Sequence, residues 1–353
     1  MFQRVSPSAS AMVFPCILLA AGCGGGEEQT GARSFQATLP ELTNDFSAFA
    51  GGESFSGTGS LVQAESGTGA ASTFDIAVRP ADDGSGDIIV NVDGGNDIRL
   101  DRNAATGQYV FSDVTGTLFA ESVMGEDVGT LLLVAEGGGT TSAGFLVVGR
   151  ESVDVAAQSG KALYLGPSAF IAVSDTGALN GGGGGFVLEA NFDTASVDGV
   201  IALTDSASST QFQIGFENAP ISGNGFSSAS LQQTGLNGTV TASGLDAAFY
   251  GGSAAEVGGT YTMNLATGGN TTFLAGAMIG SRQSADIEDI VASSGGSVDI
   301  GGGESVVLGS GSLVGGSGSV YPDGSSSYYN SSTGVSYGAD SSGCYYVGDW
   351  SNC

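Results

Sequence analysis

The sequence predicts an all-β protein: a β-rich N-terminal domain, then an antiparallel up-and-down β-barrel, then a small C-terminal β appendage. Three observations predict it. The 353 residues include 62 glycines and 7 prolines, which disfavours long helices and suits short strands joined by tight turns. Apolar runs of strand length recur about every eight to twelve residues, with turn residues between them. The stretch Phe249 to Arg282 reads as two strands around a glycine-framed corner.

Composition narrows the chemistry. Hydrophobic residues make up 41% of the chain, enough to bury a core, and the length allows about two domains. The formal charge is −28, from 8 Lys plus Arg against 36 Asp plus Glu. So few cations cannot form a basic patch, which excludes nucleic acid as a partner. The acidity serves solubility or suits a cationic partner such as a basic protein face, a polyamine or Ca²⁺. There is no histidine. That removes Ser-His-Asp and Cys-His catalysis, His-ligated zinc and His-ligated haem.

The N-terminus supplies an address. Arg4 precedes an apolar run, Ala11 to Ala21, which is too short to span a bilayer and suits a secretory signal. The run leads into Leu19-Ala20-Ala21-Gly22-Cys23, which resembles the bacterial lipobox. The resemblance implies a signal peptide over 1–22, acyl chains on Cys23 and a polar tether over 23–34. More than one acyl chain gives stable anchoring. Gly24 after the cysteine favours the outer membrane. Cys344 and Cys353 then remain as an even pair in an oxidising compartment, so a disulfide between them is expected; the alternative is free or intermolecular thiols.

Taken in order, residues 40–49 suit a short helix. Strands follow at Gly59 to Gln63, Thr73 to Val78, Asp87 to Val92, Asp97 to Asp101, Gln108 to Phe111, Gly116 to Ala120, Gly129 to Ala135 and Ala143 to Val148. Their spacing suggests an antiparallel sandwich or half-barrel. Asp93, Asn96 and Asp97 lack the full EF-hand pattern, so they read as a hairpin turn and not as Ca²⁺ ligands. The domain boundary falls near Ala157. The second sheet starts at Ser159 to Gly166. Gly181 to Gly185 reads as a loop tip and not a phosphate cradle, because no Gly-Lys-Ser/Thr and no helix follows. Phe186, Leu188, Ala190 and Phe192 share one face of a hairpin with Ser196 to Leu203. Further strands at Gln211 to Phe216, Asn224 to Leu231, Thr239 to Ser243, Ala247 to Tyr250, Thr260 to Leu265 and Thr272 to Ser281 give about eight to ten in all. Closing them into a barrel removes exposed edges. In the corner, Ser253 is placed to cap one helical turn with Glu256 three residues on. Ala190, Ala248 and Ala277 are small, so the pattern allows either a filled lumen or room for one small ligand.

After Arg282 the composition changes. Residues 284–292 suit a helical turn or two, and 284–319 form a Gly/Ser-rich linker. Residues 320–353 hold Tyr321, Tyr328, Tyr329, Tyr337, Tyr345, Tyr346 and Trp350, and read as a disulfide-stapled hairpin module. Its aromatics either bind carbohydrate or protein, or pack on one another.

The segment Asn191 to Arg282 resembles the β-barrel of the transferrin-binding protein B family of surface lipoproteins. The pieces that carry this are Asn191 to Ile201 (NFDTASVDGVI), Gly244 to Thr262 (GLDAAFYGGSAAEVGGTYT) and Ala275 to Arg282 (AGAMIGSR). The family corner reads F-Y-G-P-x-A-x-E-x-G-G; here Gly252 replaces the proline. The resemblance implies a β-rich handle domain over 35–157 and an eight-stranded antiparallel barrel over 158–283. It also implies a surface lipoprotein in the outer membrane, displayed with help from a translocon. Such a protein binds an iron carrier or haem protein and works beside a TonB-dependent receptor. It is not an enzyme and needs no cofactor. The alternative is a structural or adhesive surface lipoprotein. Carboxylate pairs such as Asp82 and Asp83 sit in turns, where such acids are mostly solvated. No ligand-binding or metal-binding residue is assigned.

Overall fold

A computed structural model describes residues 55–284 apart from 66–67, 93, 106–107, 113–116, 125, 138–139, 176–178, 206–207 and 209, together with strand segments at 35–36 and between 297 and 347. Cys23, Cys344, Cys353, the helical reading at 40–49 and all but Ser284 of the one at 284–292 lie outside the described residues.

After a short strand β1 (Phe35–Gln36), the first unit contains β2 (Phe55–Glu65), β3 (Thr68–Pro80), β4 (Ile88–Val92), β5 (Ile98–Arg102), β6 (Tyr109–Ser112), β7 (Thr117–Met124), β8 (Val128–Gly137) and β9 (Thr140–Gly149). Each overlaps a strand read from the sequence. The spacing left a sandwich or half-barrel open. Instead β2 pairs antiparallel with β9, from Ser56↔Gly149 to Ala64↔Thr141, and the ring closes. Closure removes both sheet edges at once. Alternate residues point inward. Ile76, Val78, Ile88, Val90, Leu100, Tyr109, Leu131, Leu133, Leu146 and Val148 pack as one core with Phe55.

The second unit contains β10 (Lys161–Ser174), β11 (Leu179–Asn191), β12 (Ser196–Asp205), β13 (Gln211–Ser222), β14 (Gly225–Ser228), β15 (Gln232–Thr234), β16 (Thr239–Tyr250), β17 (Glu256–Thr267) and β18 (Asn270–Arg282). β10 pairs with both β11 and β18, and β12 with β13, so this sheet also closes. The ring has eight positions because β14 and β15 occupy successive parts of one place beside β13. The stretches at Thr239 to Ser243 and Ala247 to Tyr250 are one strand with a bulge near Thr241.

Gly181 to Gly185 is not a loop tip. It lies within β11, paired with Ile171 to Pro167 of β10. A Cβ on Gly182 would press on the Thr204 carbonyl and come 2.7 Å from the Phe170 ring. Glycine here permits close approach of β11 to its neighbour rather than mobility.

The lumen is filled. Phe170, Phe186, Leu188, Ala190, Ile201, Phe212, Phe216, Phe226, Phe249, Tyr261 and Met263 belong to one buried cluster, with Phe192 against it. Phe170 meets Phe212 edge-on at 5.1 Å, and Phe226 meets Phe249 at 5.4 Å. Of the three small residues, Ala190 faces this lumen, whereas Ala248 and Ala277 lie on the outer face toward the first unit.

Beyond the barrels, β19 (Ser297–Gly301) pairs parallel with β1 and antiparallel with β20 (Glu304–Val307). Then β21 (Gly316–Val320), β22 (Ser326–Asn330), β23 (Ser336–Ala339) and β24 (Tyr345–Val347) form a four-stranded antiparallel sheet in chain order. The tyrosine-rich module is thus larger than one hairpin.

Candidate functional site

The glycine corner between β16 and β17 sits on the seam between the two barrels. Successive residues of β16 point in opposite directions. Phe249 enters the second lumen, while Tyr250 faces outward and is buried against the first barrel. Its neighbours in that seam include Val62, Val128, Phe145 and Val147 from the first unit and Ile171, Ala275 and Ile279 from the second. The outer faces of two closed sheets thus form one continuous apolar layer.

Glycines allow the rings to meet. A Cβ on Gly149 would lie 2.5 Å from Tyr250 Cδ1. One on Gly258 would lie 2.7 Å from Val128 Cγ2 and 2.8 Å from Val147 Cγ1. Real Cβ atoms do not approach that closely, so the Tyr250 ring needs glycine at 149, and Val128 and Val147 need it at 258. Gly251 holds φ 71°, in the left-handed region, with Asp127 where a side chain would stand.

The corner is not the capped helical turn read from sequence. It is one 3₁₀ turn, Gly252–Ala254, with Ser253 itself at φ 58° and no side-chain cap. Glu256 points away from it. Its Oε2 accepts from the backbone N–H groups of Asp127 at 2.7 Å and Val128 at 2.9 Å, and its Oε1 from Glu126 N–H at 3.2 Å. These donors open strand β8. The arrangement is an anion cradle already filled by a carboxylate of the same chain. Burial pushes the Glu256 carboxyl above its usual range despite the three donors, with the Asp127 charge adding to the rise.

Around it the backbones interlock. Gly251 N–H donates to the Arg150 carbonyl at 2.8 Å, and Ser152 N–H to the Phe249 carbonyl at 2.8 Å. Ala254 N–H reaches Ser152 Oγ at 3.3 Å. Tyr164 Oη donates to the Ala254 carbonyl at 2.8 Å, and Arg282 holds the Ser253 carbonyl at 3.0 Å. Further along the seam, Ser60 Oγ, fully buried, donates to the Gly276 carbonyl at 3.1 Å. Thr260 Oγ1 donates to Thr58 Oγ1 at 3.2 Å.

Of the other polar groups singled out from sequence, Asp93 lies outside the described residues, and Asp97, Asp83 and Asp82 each have a partner. Asp97 accepts from Arg79 at 3.2 Å and Asn91 at 3.1 Å, and both hold its carboxyl below the usual range. Asp83 accepts from Ser85 N–H at 3.1 Å and pairs with Arg99 at 2.7 Å; Arg99 also holds Asp87. Asp82 lies 3.5 Å from Arg79. Among the described residues no group of three or more acidic or cysteine side chains is arranged to hold a metal ion. Sequence reasoning missed Glu256 as a seam residue. The available signal was an acid followed by Gly258 and Gly259 at a strand start, where a cap does not explain the glycines.

Residues 156–295 match a protein-family model described as the C-lobe and N-lobe beta barrels of Tf-binding protein B. The second unit is a transferrin-binding protein B-like β-barrel. No curated protein matches the chain. Solved structures that resemble it include a double mutant of Transferrin Binding Protein B from Haemophilus parasuis Hp5, at 15% identity and TM-score 0.42, covering 64% of this chain and 45% of that one. Another is the isotype 1 Transferrin binding protein B from serogroup B Neisseria meningitidis, at 19% identity and TM-score 0.39, covering 64% and 44%. This chain therefore spans less than half the length of those structures. Within the transferrin-binding protein B-like barrel, the corner residues Phe249, Tyr250, Glu256 and Gly258 divide their work between the lumen and the seam.

Proposed function

We propose that this chain is a non-enzymatic surface lipoprotein that binds an iron carrier or haem protein. The observation that carries the reading is the family-model match over 156–295, a model of barrels from a protein described as transferrin-binding. Three further features support it. The lipobox-like Leu19 to Cys23 suits anchoring in the outer membrane through lipid on Cys23, with the chain passed outward by a translocon. The aromatic filling of the second lumen favours a ligand held on outer surfaces and loops, and so a macromolecule rather than a small molecule inside the barrel. The acidic surface suits a basic face on that ligand. In this reading the bound carrier gives up its iron source to a neighbouring TonB-dependent receptor.

The test is binding of transferrin, lactoferrin, haemoglobin and ferric chelates to the chain from Cys23 onward. Saturable binding to one of them is expected, with a growth defect of a deletion strain on that iron source. No binding, together with unchanged growth, overturns the reading. Palmitate labelling that is lost in Cys23→Ser tests the anchor separately.

A second reading, a structural or adhesive spacer, is favoured by one observation: the two barrels are locked by a continuous seam, which suits a rigid stalk. Loss of attachment without loss of ligand binding, when residues 284–353 are removed, distinguishes it.

A further inference from the structure

The second barrel is split on one side. Below the split, β14 pairs with both β13 and β16, from Gly225↔Ala248 to Ser228↔Leu245. Above it, among the described residues, β15 pairs with β13 and the first half of β16 with β17. Among the described residues no ladder joins β15 to β16. Among the described residues, the first half of β16 therefore has a ladder partner on one side, β17.

The split is finished by side chains and not by backbone. Leu231 N–H donates to Ser243 Oγ at 2.9 Å. The Gln233 carboxamide folds back on the turn, donating to the Leu236 and Gly238 carbonyls at 3.0 and 3.3 Å and accepting from Leu236 N–H at 3.0 Å. Leu231 and Leu236 close the lumen behind it. What remains is the edge of β16 at Thr239, Thr241 and Ala242, whose residues are exposed and uncharged. An open row of backbone donors and acceptors is a template for another strand, and native folds cover such rows.

The chain also has an unmatched edge elsewhere. In the four-stranded C-terminal sheet, β21 is a terminal strand whose partner among the described residues is β22, and it lies beside β15. Its sequence, Gly316-Ser317-Gly318-Ser319-Val320, is small and uncharged.

We propose that the split is a strand-addition site and that its occupant is β21 of the same chain, which clips the tyrosine-rich module to the second barrel. Amide hydrogen exchange on the full chain tests this. In the double variant Gly318→Pro/Ser319→Pro, adjacent residues lose the N–H groups that serve the two edges of β21. Exchange at 239–244 should then rise roughly tenfold or more, with the β17–β18 ladder unchanged. Equal rates at 239–244 in both proteins overturn the proposal. Fast exchange in both means that the edge is open. Slow exchange in both that depends on protein concentration means that a second copy covers it. As an independent check, Thr241→Cys with Gly318→Cys should form a crosslink within one chain; its absence, or a crosslink only between chains, also counts against β21.

Discussion

The two barrels are built from similar rings and stabilised differently. The first is narrow in its resources: β4, β5 and β6 are short, and its core is mostly aliphatic around Phe55 and Tyr109. Arg79 and Arg99 hold its carboxylates outside the core. The second is packed with phenylalanine and tyrosine, and three of its carboxyls, on Asp198, Glu217 and Glu256, are pushed upward by burial. The second barrel thus has the richer core, while the first leans on the seam. The glycine corner is where that support is delivered.

Adjacent residues separate the two roles most sharply. Phe249→Ala empties lumen volume and should cost the second barrel about 3–5 kcal/mol. Tyr250→Ala should cost a similar amount but lower the stability of both barrels, because its ring packs between Gly149 and Gly258. Region-resolved hydrogen exchange reads the distinction. Equal effects of both variants on the first barrel would break the comparison.

Next in size, Gly258→Ala forces a methyl against Val128 and Val147, for about 1–3 kcal/mol. The loss should appear at strands β8 and β9 as well as β17. Lys161→Ala should act on the second barrel alone. It removes the 2.9 Å partner of Glu189, whose side chain is only 6% exposed, and costs about 1–2 kcal/mol by thermal unfolding.

Acid should affect the barrels with opposite sign. Asp83, Asp87 and Asp97 have lowered folded pKa values. The stability they give is present above the unfolded carboxylate pKa and is lost as pH falls through their folded values. Asp198, Glu217 and Glu256 have raised folded values. Their charged forms oppose folding above those values, and the opposition is relieved as pH falls through them. Between neutrality and about pH 4 the second barrel should therefore gain stability. At lower pH the first should lose it. Exchange protection in each barrel, corrected for the intrinsic pH dependence, measures this.

Much of the fold was legible because strand periodicity and turn residues are local. Every strand of the first unit overlaps a stretch with that pattern. Ring closure was not legible, since β2 meets β9 across most of the unit. Gly181 to Gly185 misled because a glycine run signals a loop unless a neighbouring backbone demands the space. β15 was hidden by its three-residue length. Glu256 suited a cap three residues from Ser253, whereas its partners lie 128 to 130 residues away. Only the fold could bring that nest to the corner.

Glu256 joins the barrels through the N–H groups that open β8. Thermal unfolding of Glu256→Ala, followed by amide exchange in each barrel, tests it most directly. The account predicts a loss of about 2–4 kcal/mol, from backbone donors left without an acceptor, and separation of one transition into two with the first barrel unfolding earlier. A single transition at the wild-type midpoint, with unchanged protection in β8, would contradict it.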